Sequence, residues 1–356
     1  MPERAILLVV SIDTEEDNWS AARDGVTVEN IRGLERQHSF LRGLGVRATY
    51  FTTHAVARTR WAADVVRGLR DDGGVELAAH LHPWNTPPLD EPFEPRNTML
   101  KNLTPALQRA KIETLTDALS EAFDETPTAF RAGRWGIGAP GIAALLASGY
   151  RVDSSVIPYL DWRGVAEGPD HRGAPLEPYW LDGTGDVRAP TEGGLVEMPA
   201  SCAFTRRPFP FWNTVHAGLE AASSRRFPLA AAARKLGIIR RVGLTPETHS
   251  VADLLAVSRA LIGADVRHLH LFWHSPSLTP GLSPFVANAA DLERFYRSIE
   301  EYIAGLSAMA LVTFATVSEA ATLMRPAPST RARGSGVVRQ ARYSATTAGI
   351  RRRGAS

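Results

Sequence analysis

Apolar residues in this chain fall into short continuous runs separated by longer segments of helical period, and polar residues gather where the runs end. Residues 5–13 (AILLVVSID) are apolar on both faces of an extended chain and stop at an acidic cluster, the pattern of a strand buried in a parallel sheet. A helix is predicted around 27–44 with Gly45 as its stop, then a strand over 48–53 and a helix over roughly 55–70. The turn Asp71-Asp72-Gly73-Gly74 leads into a third strand, 75–84 reading VELAAHLHPW, in which Pro83 stops further pairing. Thr104-Pro105 supplies a cap and a first-turn proline for a helix to about Phe123, and a short strand over 129–133 carries Arg131. A helix over 138–149, a strand over 151–158 and a strand over 194–199 containing Glu197 follow. Thr245-Pro246-Glu247 repeats the cap-and-proline start for a helix to about Ile262. In the strand 268–274 (HLHLFWH) alternation puts His268, His270 and His274 on one face. A helix over 291–306, a strand over 311–316 and a closing helix over 317–324 complete the pattern, with no internal repeat.

Strands and helices alternating along one length of chain predict an α/β fold, barrel-like, with an open doubly wound sheet as the alternative. Three stretches break the alternation and read as insertions: the Pro-rich 85–103, 159–193 with Trp162, Tyr179 and Trp180, and 201–244 with Phe209, Phe211, Trp212 and several arginines. Residues 1–324 are therefore expected to form one domain with three insertions.

Charge changes the picture only at the end of the chain. The formal net charge of the 356 residues is +2, but residues 325–356 hold eight arginines and no acid, which leaves 1–324 with 32 basic against 38 acidic residues, about −6. The tail, rich in Arg, Ser, Gly and Ala, is expected to be disordered; it could contact nucleic acid or an anionic surface, but a solubilising extension is the preferred reading, and no nucleic-acid partner is expected. The first apolar run is too short to span a bilayer and is followed by acidic residues where a signal peptide would be cleaved, so a cytoplasmic protein without a membrane span is expected. The single Cys202 excludes an intramolecular disulfide.

The candidate chemistry lies where strands end. His80 and His82, at i and i+2 on an extended backbone, face the same way and could reach one first-row metal ion; alternatively one is an ordinary polar residue and the other caps the strand. Asp13 and Glu15 have the same spacing after the first strand, so one could ligate a metal while the other handles a proton, whereas Glu16 and Asp17 have the position of helix caps. One carboxylate and two imidazoles give three protein ligands and an open position, as in catalytic rather than structural sites. Asp13, His80, Arg131, Asp153 and His274 all fall at or near predicted carboxyl ends of strands, the edge that houses chemistry in barrels.

With these segments in order, the chain resembles the polysaccharide deacetylases of the NodB-homology type, carbohydrate esterase family 4, through much of 5–324. Ser11-Ile12-Asp13-Thr14-Glu15 resembles the first motif, Gly74 to His82 the second, Phe130-Arg131-Ala132-Gly133 the third, Asp153-Ser154-Ser155 the next, and Phe272-Trp273-His274-Ser275-Pro276 the last. The resemblance implies a distorted (β/α) barrel of that type. It also implies a hydrolase that removes an N-acetyl group from an amino-sugar-containing saccharide; a small non-sugar amide as substrate, or a catalytically silent saccharide-binding protein, are the other readings. By position it implies Asp13 as base, Glu15, His80 and a second histidine as ligands of a divalent ion (zinc-like, with cobalt, manganese or nickel as alternatives), Arg131 orienting Asp13, and His274 as acid. Should Arg131 pair with Glu197 instead, it has no direct catalytic part. The chain departs from the family pattern twice: the adjacent Asp-Asp is Asp-Thr-Glu, and the histidine spacing is two rather than four, so that either His82 or water takes the second histidine's place. Trp84 and Trp135, beside these residues, are expected to contact a sugar ring, and Asp153 to contact substrate.

Overall fold

The computed structural model describes residues 4–17, 19–224 and 240–326. Strands β1 (Ala5–Thr14), β2 (Ala48–Thr52), β3 (Val75–Leu81), β4 (Ala129–Ala132), β5 (Val152–Asp153), β6 (Tyr179–Leu181) and β7 (Leu195–Glu197) lie in the first two thirds of the chain. β8 (Cys202–Phe204) and β9 (Arg241–Gly243) make a separate antiparallel pair, and β10 (His268–His274) and β11 (Leu311–Ala315) follow. The main sheet runs in the order β10-β1-β2-β3-β4-β5-β7-β6, with β11 also on β1; every pairing is parallel except β6 with β7.

β1 is the strand on which the sheet is registered. Its first half pairs with β11, its second half with β2, and Leu7 to Asp13 pair with β10 along the other edge. A strand paired on both edges and covered on both faces must be apolar throughout, which is why 5–12 reads as it does. Ile6, Leu8, Val10 and Ile12 pack outward against Leu34, Leu41, Val66 and Ile112 of the surrounding helices. Val9 joins Phe51, Ala78, Ala129, Val152, Val196 and Ala315 in a second cluster, completed by Val317, Ala320 and Ala321 of the last helix, Val317–Leu323. Each such aliphatic side chain contributes about 1.5–3 kcal/mol by leaving water. A one-residue slip of β1 would exchange these sets and turn Asp13 in among the helices, so the same burial that holds the strand also aims the carboxylate.

The sheet curls into the expected barrel but closes irregularly. Among the described residues β7 and β10 share no ladder. The gap is bridged by His270 N donating to Ser201 Oγ (2.8 Å) and Phe272 N donating to the Leu244 carbonyl (3.0 Å), so the β8–β9 segment serves as the seam.

Three local expectations need correction. The helix expected over 27–44 begins as a 3-10 turn, Glu29–Gly33, before the α-helix Leu34–Gly43. The helix over 55–70 is two helices, His54–Arg58 and Arg60–Asp72, because Thr59 is extended between them. Thr245-Pro246-Glu247 does not start a helix: Val251–Ile262 starts later, capped by Ser250, whose hydroxyl accepts from Asp253 N. The Thr104 cap is present as expected, accepting from Leu107 N. Within 159–193, β6 is one ordered element, and Asp161-Arg163, Asp170-Arg172 and Asp186-Arg188 each fold back on themselves as ion pairs. The insertion at 201–244 contains β8, β9 and the helix Phe209–Ser224, with 225–239 outside the described residues. The tail prediction likewise lies outside them beyond Pro326; Arg325 itself stacks over Trp180 at 5.2 Å. No described helix is long and apolar enough to cross a membrane.

Candidate active site

The carboxyl ends of β1, β3, β4 and β10 open on one cavity of about 630 Å³, lined by Asp13, Glu15, His80, His82, Trp84, Arg131, Trp135 and His274 among others. Three of these side chains meet at a point. Nε2 of His80 and Nε2 of His82 are 3.0 Å apart, and Glu15 Oε2 lies 3.4 Å from the first and 3.2 Å from the second. The three residues are buried and form a group able to hold a metal ion. His80 Nδ1 donates to the Arg131 carbonyl (3.1 Å), and His82 Nδ1 donates to Glu16 Oε1 (2.6 Å). Carbonyl and carboxylate oxygens only accept, so both Nδ1 atoms carry a proton and the two Nε2 atoms are turned toward each other and toward Glu15. Burial would lower the His82 pKa, but Glu16 and Glu15 push it up to about 10, so a second proton on its Nε2 can donate to Glu15.

Two imidazole nitrogens and a carboxylate oxygen at these separations are satisfied by a proton on His82 or by a metal ion in its place. Bonds of about 2.0–2.2 Å to a tetrahedral zinc-type ion place neighbouring ligand atoms roughly 3.3–3.6 Å apart. The triangle of 3.0, 3.2 and 3.4 Å is tighter by a few tenths of an ångström on two edges and would admit such an ion by a slight spreading of the side chains. The donor set, two imidazoles and a carboxylate, fits it too. His82 therefore stands where the second histidine was expected.

Asp13 sits beside this triad. Its Oδ1 accepts from Arg131 Nη1 at 2.6 Å, while Oδ2 is 3.8 Å from His80 Nε2 and 3.7 Å from His274 Nε2. Burial alone would raise the Asp13 pKa, but Arg131, His80 and His274 outweigh it and hold the carboxyl below its ordinary value. Glu15 is held far below its own ordinary value, burial being overcome by His274, His80 and His82. Arg131 is fixed on every side: Nε donates to the Ser154 carbonyl, Nη2 to Ser154 Oγ and to His270 Nε2, and the group lies 4.1 Å over the Phe51 ring. It makes no described bond to Glu197.

His274 faces Asp13 from β10. Its Nδ1 donates to Glu247 Oε2 at 2.8 Å, and Glu247 is itself held by Ser277 Oγ at 2.5 Å. Burial would lower the His274 pKa, yet the carboxylates of Glu247, Glu15 and Asp13 push it up to about 10. Its Nε2–H is thus present at neutral pH.

Glu16 and Glu247 are the two site residues that sequence reasoning missed. Glu16 orients His82 and also accepts from Asn85 Nδ2 (2.6 Å), leaving Asp17 alone to cap the 3-10 turn through Glu29 N and Asn30 N. Nothing in Glu15-Glu16-Asp17 tells which acid turns inward. Glu247 was hidden by its Thr-Pro-Glu context, which reads as a helix start. Trp84 and Trp135 do wall the cavity, Trp84 stacked on His82 (4.1 Å between ring centres) and Trp135 edge-on to Phe272 (5.2 Å). The structure does not bring Asp153 to the cavity. Val152 and Ser154 take the inward positions, and Asp153 turns to the other face against Ser155 and Glu197.

No protein-family model matches the chain, and no curated protein matches it significantly. Solved structures do. A candidate polysaccharide deacetylase from Mycobacterium smegmatis is 19% identical, with 91% of this chain and 92% of that one covered and a TM-score of 0.51. A candidate glycoside hydrolase/deacetylase from Parabacteroides distasonis is 14% identical, with 91% and 71% covered and a TM-score of 0.54. The chain therefore has the fold of these deacetylase structures, the distorted (β/α) barrel of the NodB-homology type.

Proposed function

We propose that the protein belongs to the polysaccharide deacetylases and is a divalent-metal-dependent hydrolase that removes an N-acetyl group from an amino-sugar-containing saccharide. The observation that carries this reading is the buried group of Glu15, His80 and His82, whose ligand atoms converge on one point, adjoined by an ionised Asp13 and a cationic His274. An amide is a poor electrophile with a poor leaving group, so its hydrolysis needs a polarising centre, a base and an acid.

Glu15, His80 and His82 would hold the ion, which would supply Lewis acidity, drawing charge from the amide carbonyl and making water easier to deprotonate. Glu16 and the Arg131 carbonyl keep both imidazoles in the ligating tautomer. Asp13 takes the proton from the attacking water through Oδ2, the oxygen that Arg131 leaves free. His274 gives its Nε2 proton to the departing amine, and Glu247 steadies the ring as it does so. Trp84 and Trp135 limit the water that reaches these groups and wall the space a sugar ring would enter.

The test is release of acetate from N-acetylated sugars by the purified chain, with and without chelator, alongside a measurement of bound metal. Release that chelator abolishes and zinc or cobalt restores is expected. Absence of bound divalent ion together with absence of release would overturn the proposal, and release from simple amides alone would move the substrate class.

A further inference from the structure

The charges lining the cavity do not balance. Its described lining contains two carboxylates, Asp13 and Glu15, and both are committed, one to Arg131 and the other to the histidine pair. Two further arginines line the same space, Arg134 and Arg241, each half-buried. Arg241 spends one N–H on the Tyr159 carbonyl (2.7 Å), and among the described residues Arg134 has the Trp84 ring, 5.4 Å away, as its one polar or ring contact. Neither has a carboxylate partner among the described residues. The segment 225–239 that precedes Arg241 offers none either, since its sequence holds four basic residues and no acid.

A guanidinium partly withdrawn from water beside apolar walls is costly unless an anion joins it. Here Trp19, Trp135, Trp162 and Phe272 make much of the wall, so a charge pair formed inside is only weakly screened. The chain also holds Arg134 in place at some cost. Arg134 and Trp135 adopt φ of 52° and 57°, a left-handed conformation unfavourable for two successive side chains that are not glycine. Gly133 before them leaves no room for a Cβ, which would meet His82 Cδ2 at 2.6 Å. Arg134 is thus carried on a strained turn packed directly against a proposed metal ligand.

We infer that Arg134 and Arg241 recognise an anionic oxygen group, phosphate or carboxylate, on the substrate whose amide is cleaved. This rests on the hydrolase reading for the scissile amide and on the charge inventory for the anion. The guanidinium fork suits either group, as a planar donor array matched to paired oxygens.

The experiment is calorimetric titration of the full chain, carrying Asp13→Asn so that turnover does not intrude, with N-acetylglucosamine, N-acetylglucosamine 1-phosphate and N-acetylmuramic acid. At least one anionic sugar should bind about tenfold or more tightly than the neutral one, as expected of a charged pair gained in a partly buried site; the phosphate and carboxylate arms tell which group is read. Arg134→Gln and Arg241→Gln should each erode that preference, and the double variant should abolish it, while the exposed Arg109→Ala should leave it intact. Glutamine keeps an N–H for the Tyr159 carbonyl; should the double variant still fail to fold, raising the salt concentration on the Asp13→Asn parent must erode the preference instead. Equal affinity for the three sugars, no binding of either anionic sugar, or a preference that survives the double variant or high salt overturns the inference. Turnover of a neutral N-acetyl sugar without anion preference would sink it and leave the deacetylase reading standing; anion preference without any amide hydrolysis would do the reverse.

Discussion

Two clusters of buried acids lie at the same edge of this sheet and behave in opposite ways. At the ends of β1 and β3, Asp13, Glu15 and Glu16 are all held below their ordinary pKa, although burial acts against each of them, because Arg131 or a histidine touches every one. At the ends of β5 and β7, Asp153 and Glu197 are register partners and just as buried, but burial raises Asp153 to about 6 and Glu197 well above its ordinary value. The second pair shares a proton and faces away from the cavity. Burial alone therefore does not mark a working carboxylate. What separates the clusters is a cation within reach and the face of the strand on which the acid falls.

The largest effect should come from breaking the first cluster at its centre. His80→Ala or His82→Ala removes one of the three proposed ligands, and bound divalent metal measured by atomic emission should fall below stoichiometry, with acetate release lost. Asp13→Asn should retain the metal while turnover falls roughly 10²–10⁴-fold, the range for removing a general base, read as kcat on an N-acetyl sugar. Glu16→Gln keeps the first ligands but loosens His82; metal affinity should drop about 10–100-fold by competition with a chromophoric chelator, as for other partners of ligating histidines.

The second cluster should respond in stability rather than activity. A carboxyl whose pKa is higher in the folded chain than in the unfolded one stabilises fully below its unfolded value, and that contribution is lost as pH rises through the folded value. The melting temperature should fall as pH is raised through about 6, where the Asp153–Glu197 pair loses the first of its two protons. Asp153→Asn should flatten that slope by on the order of 2–4 °C for each kcal/mol relieved, with acetate release unaltered. A variant that lost turnover would return Asp153 to the site.

The contrast also shows where sequence reading stopped. β1, β3 and β10 were legible because strands buried on both faces are apolar without interruption, so the polar residues at their ends stand out: Asp13, Glu15, His80, His82 and His274 all reach the cavity. Asp153 stands at the end of a strand by the same criterion. It was misplaced because β5 is two residues long, too short to reveal its phase, and a shift of one position separates an inward from an outward side chain. Arg131, whose strand pairs His80 with it in register, turned to Asp13 and not to Glu197, a choice made by Ser154, His270 and Phe51 around it.

From the chain alone came the alternation of strands and helices, the acid and histidine pairs at i and i+2, and the mild acidity of the body, all properties of local order or composition. The tertiary structure alone decided that His82 joins Glu15 and His80 in a group able to hold a metal ion, that Glu16 and Glu247 bond to two histidines, and that Arg134 and Arg241 have no acid partner among the described residues. Those outcomes depend on contacts between residues 27 to 82 positions apart, among them Glu247 with His274, Glu16 with His82 and Arg241 with Tyr159, and hydrogen-bond geometry across such separations is set by packing rather than by any pattern along the chain.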